Sequence, residues 1–312
     1  MKRFRGAARG APWLAFALAL GACATAPPPG PAPLDTGLLF LWEVESDHPG
    51  GGLAHLLGSV HVARTDLRLD PAVDAAFADA EALVVEVDLR EISLEESTAL
   101  LVELGQLPDG QTLDQVLPPE TWEEFVALLE RHGQSPDSYR VFEPWVAMVS
   151  ASALLAAEEK LSGEAGVDRM FLERAGDREV IALETLASQV ALFDELPIDQ
   201  QAHMLGAVVA ESEVSADTIG LMYEAWRLGD ARTLEALVHG ATGGDPELVT
   251  LHQRMFVQRN HSMAERIDGL LRNERSYFVV IGAGHLVGAG GIPALLSDRG
   301  HRVRRLERTA AP

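Results

Sequence analysis

Cysteine is almost absent from this chain of 312 residues, whose single cysteine is Cys23. One cysteine excludes an intramolecular disulfide, a cysteine-based zinc cluster and an iron–sulfur site. Basic residues are also scarce, since 25 Lys and Arg stand against 47 Asp and Glu, for a net charge of −22. Phosphate binding needs a basic surface, so the composition excludes nucleic acid as the main partner. The 47% of hydrophobic residues is typical of a globular protein and excludes wholesale disorder.

The first 22 residues have the pattern of a targeting signal. They carry four basic residues and no acidic one, and they include an apolar run at 13–20 that is too short to cross a bilayer as a helix. Residues 20–23 read Leu-Gly-Ala-Cys, which resembles the bacterial lipoprotein signal, in which the cysteine becomes the lipidated N-terminus. We therefore expect a signal peptide over residues 1–22 and lipidation of Cys23. The alternative is an ordinary secretory signal with a chance cysteine.

A proline-rich stretch follows the cysteine. Residues 27–33 read Pro-Pro-Pro-Gly-Pro-Ala-Pro, which predicts a semi-rigid, extended tether within residues 23–37. No Asp follows Cys23, and the resemblance to sorted lipoproteins then implies the outer membrane. We expect the folded body, residues 38–312, to lie on the periplasmic side and to contact the membrane through its lipid anchor only.

The body alternates between short apolar runs and helical patterns. Buried strands are predicted over 40–44, 53–57, 82–88, 179–184, 277–281 and 302–306, and the first two form a hairpin around the turn at 49–52. Helices are predicted over 93–107, 118–129, 144–157, 198–212, 218–227 and 246–271. Strands separated by helices indicate an α/β or α+β domain, with a central, mostly buried mixed sheet and a large helical insertion.

Two of the predicted strands run into the same motif. Residues 58–61 read Gly-Ser-Val-His and residues 282–285 read Gly-Ala-Gly-His, so each strand is followed by Gly-x-x-His. Glycine at a strand end lets the backbone turn tightly or approach a ligand. The rim beyond the carboxyl ends of strands is where α/β sheets form ligand sites. Two neutral imidazoles at this rim, His61 and His285, are ligands that suit a transition metal.

Two other strands bring carboxylates to the same rim. Glu86 lies in the apolar run 82–88, where an ionised carboxylate is costly unless it is paired or bound to a cation. Glu184 ends the next predicted strand. Two histidines and one carboxylate are sufficient for a catalytic metal with open positions. The sequence therefore predicts one site at the strand ends that contains His61, Glu86, Glu184 and His285.

Around these residues the chain resembles the TraB/GumN family, which includes the Tiki metalloproteases and the pheromone-shutdown proteins of conjugative plasmids. The matching segments, spread over residues 38–306, are Leu-Leu-Gly-Ser-Val-His at 56–61, Val-Val-Glu-Val at 84–87, Gly-Val-Asp at 166–168, Leu-Glu-Thr at 183–185, Gln189, Leu-Phe-Asp at 192–194, Arg-Asn at 259–260, Gly-Ala-Gly-His-Leu-Val-Gly at 282–288 and Gly-Ile-Pro-Ala-Leu-Leu at 291–296. The resemblance implies kinship with the erythromycin-esterase-like and ChaN-like, haem-binding folds. It also places the family's histidines at His61 and His285, its strand glutamate at Glu86 and its arginine at Arg259.

The leading hypothesis for function is a metal-dependent hydrolase that acts on a peptide or protein, as the Tiki members of the family do. His61 and His285 would bind a divalent ion, with Glu86 as third ligand or as the base that takes a proton from water. Histidine and glutamate ligands fit manganese, cobalt, zinc or iron, and the sequence does not choose among them. Arg259 would hold a substrate carboxylate or the developing oxyanion.

Other interpretations of these residues stay open. Glu184 and Asn260 are expected to orient a ligating histidine through a hydrogen bond or to contact the substrate. Glu184 could instead be a further ligand, or it could cap a helix. Glu86 could be a structural ion-pair partner of Arg259, because buried charges usually find partners, and both histidines could be structural. The alternative functions are a non-catalytic module that sequesters a peptide or haem-like ligand in the cell envelope, and a purely structural envelope protein. Nothing in the sequence indicates an oligomeric state.

Overall fold

The computed structural model describes residues 32–91, 103–240 and 246–309, together with residues 96, 99 and 100. The expected signal peptide, Cys23 and most of the expected tether lie outside these residues, and so does the start of the helix predicted over 93–107. Within the described ranges, no helix combines the length and the apolar character that crossing a membrane requires.

A six-stranded sheet forms the centre of the body, with strand order β4-β3-β5-β2-β1-β6. The strands are β1 Leu38–Glu45, β2 Leu53–Ser59, β3 Ala82–Val85, β4 Glu179–Ala182, β5 Ser276–Gly282 and β6 Arg302–Glu307. Strands β4, β3, β5 and β2 are parallel, whereas β1 pairs antiparallel with β2 and with β6. All six predicted strands and the predicted hairpin are present, and the mixed sheet confirms the predicted α/β class.

The inner strands are apolar because the sheet is covered on both faces. Every residue of β3 is buried, and so is every residue of β5 after the first. Strands of this kind read as continuous hydrophobic runs instead of alternating patterns. Each large apolar side chain removed from water contributes about 1.5–3 kcal/mol. The edge strand β6 has the opposite character, with three arginines and a glutamate that discourage pairing with another sheet.

Helices pack against the sheet and occupy the long connections between its strands. They are α1 Pro71–Asp79, α2 Leu113–Val116, α3 Pro119–Arg131, α4 Pro144–Glu158, α5 Val167–Arg174, α6 Leu186–Asp194, α7 Ile198–Val209, α8 Ser212–Arg227, α9 Ala231–His239, α10 Pro246–His252, α11 Arg259–Leu270 and α12 Ile292–Asp298. Helices α2–α5 lie between β3 and β4, and α6–α11 lie between β4 and β5. The predicted helical insertion therefore consists of two parts, separated in the chain by β4.

Three of the predicted helices differ from the structure. The helix predicted over 198–212 ends at Val209, and the next begins at Ser212 instead of at residue 218. Glu211 makes the break, because its backbone (φ −126°, ψ 59°) lies outside the helical region. The helix predicted over 246–271 contains a π-helical segment, Gln253–Gln258, between α10 and α11. Such segments are rare and are frequently found at functional sites.

The four parallel strands end at one edge of the sheet. Ser59 of β2 pairs with Gly282 of β5, and the last residues of β3 and β4 pair with each other. Parallel strands in register bring the residues that follow them to a common rim. His61, Glu86 and Glu184 each lie one or two residues beyond one of these strand ends. The order and register of the strands therefore bring the predicted residues together.

Candidate active site

His61 lies two residues beyond β2, and its imidazole faces a carboxylate. Its Nδ1 is 2.8 Å from Oδ2 of Asp168, the second residue of α5. The hydroxyl of Ser59 donates a 2.6 Å hydrogen bond to Oδ1 of the same carboxylate. A Cβ at Gly166 would lie 2.5 Å from the carbonyl oxygen of His61, so glycine is required for α5 to begin this close to the His61 loop.

Burial and charge act in opposite directions on this pair. Burial lowers the pKa of His61, but Asp168, with a smaller contribution from Glu86, outweighs it and raises the pKa above its usual value. Burial raises the pKa of Asp168, but His61 and Ser59 outweigh it and hold that pKa below its usual range. Asp168 is therefore ionised at neutral pH and keeps a proton on Nδ1 of His61. The other ring nitrogen, Nε2, is left to face the site.

His285, beyond β5, is held by an amide. Its Nδ1 is 2.6 Å from Oδ1 of Asn260, and Nδ2 of Asn260 donates to the carbonyl of Gly290 at 2.8 Å. The amide nitrogen is thus the donor and Oδ1 the acceptor, so Nδ1 of His285 carries the proton. Burial, followed by the charge of Arg259, lowers the pKa of His285 well below its usual value. The ring is neutral, with a lone pair on Nε2.

Both imidazoles leave Nε2 without a partner. The two Nε2 atoms are buried, and neither has a hydrogen bond within the described part of the chain. A Cβ built on Gly282 would lie 3.8 Å from Nε2 of His61, 3.5 Å from Cδ2 of His285 and 3.2 Å from Oε1 of Glu86. These three side chains surround a space beside Gly282 that a larger residue would fill.

Glu86 and Glu184 lie side by side and share one arginine. The backbone pairing of β3 and β4 continues past the strand ends, since the amide of Glu184 donates to the carbonyl of Glu86 at 2.7 Å. Arg259 donates to Oε2 of Glu86 at 2.8 Å and to the two oxygens of Glu184 at 2.8 and 2.6 Å. Gln189 donates to both carboxylates at 2.9 Å, and the amide of Gly282 donates to Oε1 of Glu86 at 2.6 Å.

This network engages most of the guanidinium. Burial lowers the pKa of Arg259, but the hydrogen bonds and charges of Glu184 and Glu86 outweigh it and raise the pKa above its usual range. Nη1 of Arg259 also donates a 3.2 Å hydrogen bond to the carbonyl of Met255. The ion pair between Glu86 and Arg259 that the sequence suggested is present. The alternative of Glu184 as a helix cap is wrong, because the cap of α6 is Thr185, whose hydroxyl accepts a backbone amide.

The structure brings every residue of the predicted site into this cluster and adds three more. The predicted members are His61, Glu86, Glu184, Arg259, Asn260 and His285. The added members are Ser59, Asp168 and Gln189. Asp168 and Gln189 belong to segments that match the family, and that match was the available signal. Neither follows a strand end, and the strand-end pattern therefore could not find them.

A cavity of about 430 Å³ lies beside the loop that carries His61. Leu57 and Val73 contribute apolar lining, and Arg64 and Trp226 line it as well. The indole of Trp226 donates a 2.7 Å hydrogen bond to the carbonyl of Gly58, the first residue of the Gly-x-x-His motif. Arg64 is three residues from His61, so their Cα atoms are at most about 11 Å apart. None of the residues of the candidate site lines this cavity, which is tied to the site only through the chain that carries Gly58 and His61.

A second group of ligand-type residues lies at the opposite edge of the sheet. In the described ranges, His48, Asp268 and His301 are the three residues whose ligand atoms all lie within 4.8 Å of one another, an arrangement that could hold a metal ion. Both Nε2 atoms approach Oδ1 of Asp268, at 3.1 Å from His48 and 2.9 Å from His301. The amide of Asp47 donates to Nδ1 of His301 at 3.3 Å, which places the ring proton on Nε2. His301 therefore donates to Asp268, and the group is a hydrogen-bonded clasp.

Comparison with known proteins gives a family match and distant relatives. The TraB/PrgY/gumN family model matches residues 40–305. The uncharacterized protein YbaP of Escherichia coli (strain K12) is 24% identical over 251 residues, which cover 80% of this chain and 89% of that protein. The metalloprotease TIKI1 of Danio rerio is 24% identical over 319 residues, which cover 85% of this chain but 62% of that protein. The metalloprotease TIKI2 of Xenopus tropicalis is 23% identical, and the match covers 85% of this chain and 59% of that protein. No solved structure matches the chain.

Proposed function

Because the chain belongs to the TraB/PrgY/gumN family, we propose that the space beside Gly282 is the centre of a metal-dependent hydrolase that acts on a peptide or protein. One observation carries the proposal: two buried, unpartnered imidazole nitrogens, of His61 and His285, adjoin the space that also faces Oε1 of Glu86. Buried polar atoms without a partner are rare and call for an explanation. Two relatives that carry the name metalloprotease support the same chemistry.

The donor types present suit a divalent cation, although the ligand atoms of His61, Glu86 and His285 do not all lie within 4.8 Å of one another in the structure. His61 and His285 would hold it through Nε2, and Glu86 would hold it through Oε1 or act as the base beside it. Each imidazole is fixed through Nδ1, by Asp168 or by Asn260, as histidine ligands of metals usually are. Manganese, cobalt, zinc and iron all accept this donor set. When bound, such an ion supplies an activated water and polarises the carbonyl that is attacked.

Glu86 is the residue we assign to proton transfer or to metal binding. Its Oε2 is engaged by Arg259 and Gln189, whereas Oε1 has one amide donor, Gly282, and faces the open space. Arg259 then acts as a positioning residue, because its hydrogen bond to Oε2 of Glu86 fixes the direction of Oε1. Glu184 in turn positions Arg259.

The substrate would approach from the side where the site is least buried. His61, Asp168, Glu184 and Gln189 are half-buried, whereas Glu86, Arg259 and His285 form the buried floor. We therefore place the scissile bond beside Gly282, on the side of the half-buried residues.

The metal content of the purified protein tests this proposal. After incubation with manganese, cobalt, zinc or iron, we expect about one equivalent of one of these metals, and its loss in the folded variant His61→Ala/His285→Ala. The matched control is His261→Ala, since His261 is an exposed histidine on α11. Absence of metal from the folded wild type would refute the proposal and favour the non-catalytic binding module. Metal that persists in the double variant would refute this site.

We also propose that the chain is a lipoprotein of the outer membrane, facing the periplasm and held by lipid on Cys23. The Leu-Gly-Ala-Cys pattern at residues 20–23 and the proline-rich stretch behind it support this. Cys23→Ser should move the protein from the membrane fraction to the soluble fraction. Unchanged fractionation would contradict the proposal.

A further inference from the structure

A second chain of hydrogen bonds lies behind His285. His239, the last residue of α9, has Nε2 at 3.1 Å from the carbonyl oxygen of Gly284. Its Nδ1 is 2.7 Å from Nε2 of His252, the last residue of α10. Gly284 directly precedes His285 in the second Gly-x-x-His motif. The chain of bonds therefore runs from His252 through His239 to the backbone that carries His285.

The direction of these bonds follows from their fixed end. A carbonyl oxygen only accepts, so Nε2 of His239 carries a proton and donates it to Gly284. Burial, followed by the neighbouring His252, lowers the pKa of His239 to about 4, so this ring is neutral at pH 7 and has a lone pair on Nδ1. That lone pair accepts the Nε2 proton of His252, whose pKa is also lowered by burial. Both rings are thus held as the Nε2–H tautomer.

Phe256, in the π-helical segment, packs against all three imidazoles. Its ring centroid is 4.9 Å from that of His239, 5.2 Å from that of His252 and 5.1 Å from that of His285. A Cβ at Gly284 would lie 3.0 Å from the Phe256 ring, so the motif backbone is also in contact. The Phe256 ring covers one side of the half-buried His239 and His252, and a less polar surrounding strengthens a hydrogen bond.

One stretch of chain supplies both supports of His285. His252 acts on its backbone through His239, and Asn260, eight residues further on, holds its Nδ1. The π-helical segment lies between them. One residue fewer in this turn would rotate Asn260 by about 100° relative to His252, and the two contacts could not coexist. The π-helical geometry is therefore tied to this double support.

We propose that His239 and His252 are positioning residues of the candidate active site: as a hydrogen-bonded pair they hold the Gly284 carbonyl and so fix where His285 presents Nε2. The proposal rests on the proposed function for what His285 binds. The hydrogen-bond chain itself does not depend on that function, and the two can fail separately.

Ring nitrogen NMR shifts of the metal-free protein at pH 7 test the hydrogen-bond chain. We expect His239 and His252 as Nε2–H tautomers and His285 as the Nδ1–H tautomer. In His239→Leu and His252→Phe, which remove a donor while keeping much of the apolar volume, the His285 ring signals should shift and broaden. In His239→Gln, whose amide can donate to Gly284, they should stay near the wild-type positions. Different tautomers, or a His285 signal unmoved in both donor-free variants, would overturn the proposal.

Cobalt affinity tests the consequence for the site. Loss of a residue that orients a metal ligand typically weakens binding about 10–100-fold. We expect this loss of affinity in His239→Leu and His252→Phe, and values within about 3-fold of wild type in His239→Gln and in the control His261→Gln. Equal affinities in all variants would overturn the positioning role. Absence of cobalt binding in the wild type would instead refute the proposed function, and the NMR comparison would still decide whether the pair holds His285.

Discussion

The substitution Gly282→Ala tests the candidate site most directly, because a methyl group would occupy the space itself. The new Cβ would lie 3.2 Å from Oε1 of Glu86, 3.5 Å from Cδ2 of His285 and 3.8 Å from Nε2 of His61. Metal–nitrogen bonds are about 2.0–2.1 Å long, so an ion on Nε2 and a methyl carbon this close would compete for one volume. We expect cobalt affinity to fall at least 100-fold.

The same substitution should change stability little. Gly282 has φ −48° and ψ 131°, which alanine adopts without strain. Alanine reduces the entropy of the unfolded chain and so stabilises by about 0.4–1 kcal/mol. One contact, with Glu86, is tight, and overpacking of a buried site costs about 1–3 kcal/mol. The two effects oppose each other, and we expect the free energy of unfolding to fall by no more than about 2 kcal/mol.

Cobalt titration and urea denaturation of the same variant separate these effects. The control is Gly290→Ala, because Gly290 lies at the same rim and a Cβ there would have no neighbour within 4 Å. We expect wild-type affinity in the control. Wild-type affinity in a folded Gly282→Ala protein would refute the assignment of the site to this space. A loss of more than about 4 kcal/mol in the free energy of unfolding would refute the packing argument.

Three further substitutions test the charges around the site and at the clasp. Arg259→Gln leaves two buried carboxylates without their cation, and urea denaturation should show a loss of about 3–5 kcal/mol; a loss below 1 kcal/mol would contradict the buried network. Asp168→Asn removes the partner that raises the pKa of His61, so about 2 kcal/mol of stability should be lost near pH 6. That loss should shrink as pH rises through the folded-state pKa of His61, and denaturation at pH 6 and pH 9 checks the sign. Asp268→Asn should lower the free energy of unfolding at pH 6. Its difference from wild type should become smaller as pH falls below 3.8, because the pKa of Asp268 is lowered in the folded state despite its burial. A difference that does not depend on pH would contradict the hydrogen-bonded clasp.

The strands and the strand-end residues were predictable because local and global signals agree there. Each buried strand is a continuous apolar run, and each of the two motifs begins with glycine where its strand ends. Parallel pairing then places His61 and His285 at one rim whatever the helices do. The site residues on strands thus follow from pattern and topology alone.

Residues contributed by helices could not be placed in the same way. Asp168 reaches His61 because the amide of Val167 donates to the carbonyl of Val60, a contact between segments more than 100 residues apart. The π-helical segment has the composition of an ordinary helix, so its sequence does not predict the π-helical geometry. That geometry is seen only together with the contacts of Phe256 and Asn260 with His285. The position of Asp168 and the π-helical segment both depend on tertiary packing, which local sequence patterns do not show.

The charges of the cluster favour a bound cation over a purely structural role. Asp168, Glu86 and Glu184 contribute three carboxylates, and Arg259 is the one guanidinium that pairs with them among the described residues. His285 is neutral because its pKa is lowered, and even with a charged His61 the three carboxylates exceed the positive charges, in a region where unpaired charge is costly. Neither imidazole uses its second ring nitrogen to bind these carboxylates. Nδ1 of each ring faces Asp168 or Asn260, and Nε2 has no hydrogen-bond partner among the described residues. The excess of negative charge and the two unpartnered ring nitrogens support the proposal that this cluster binds a divalent ion.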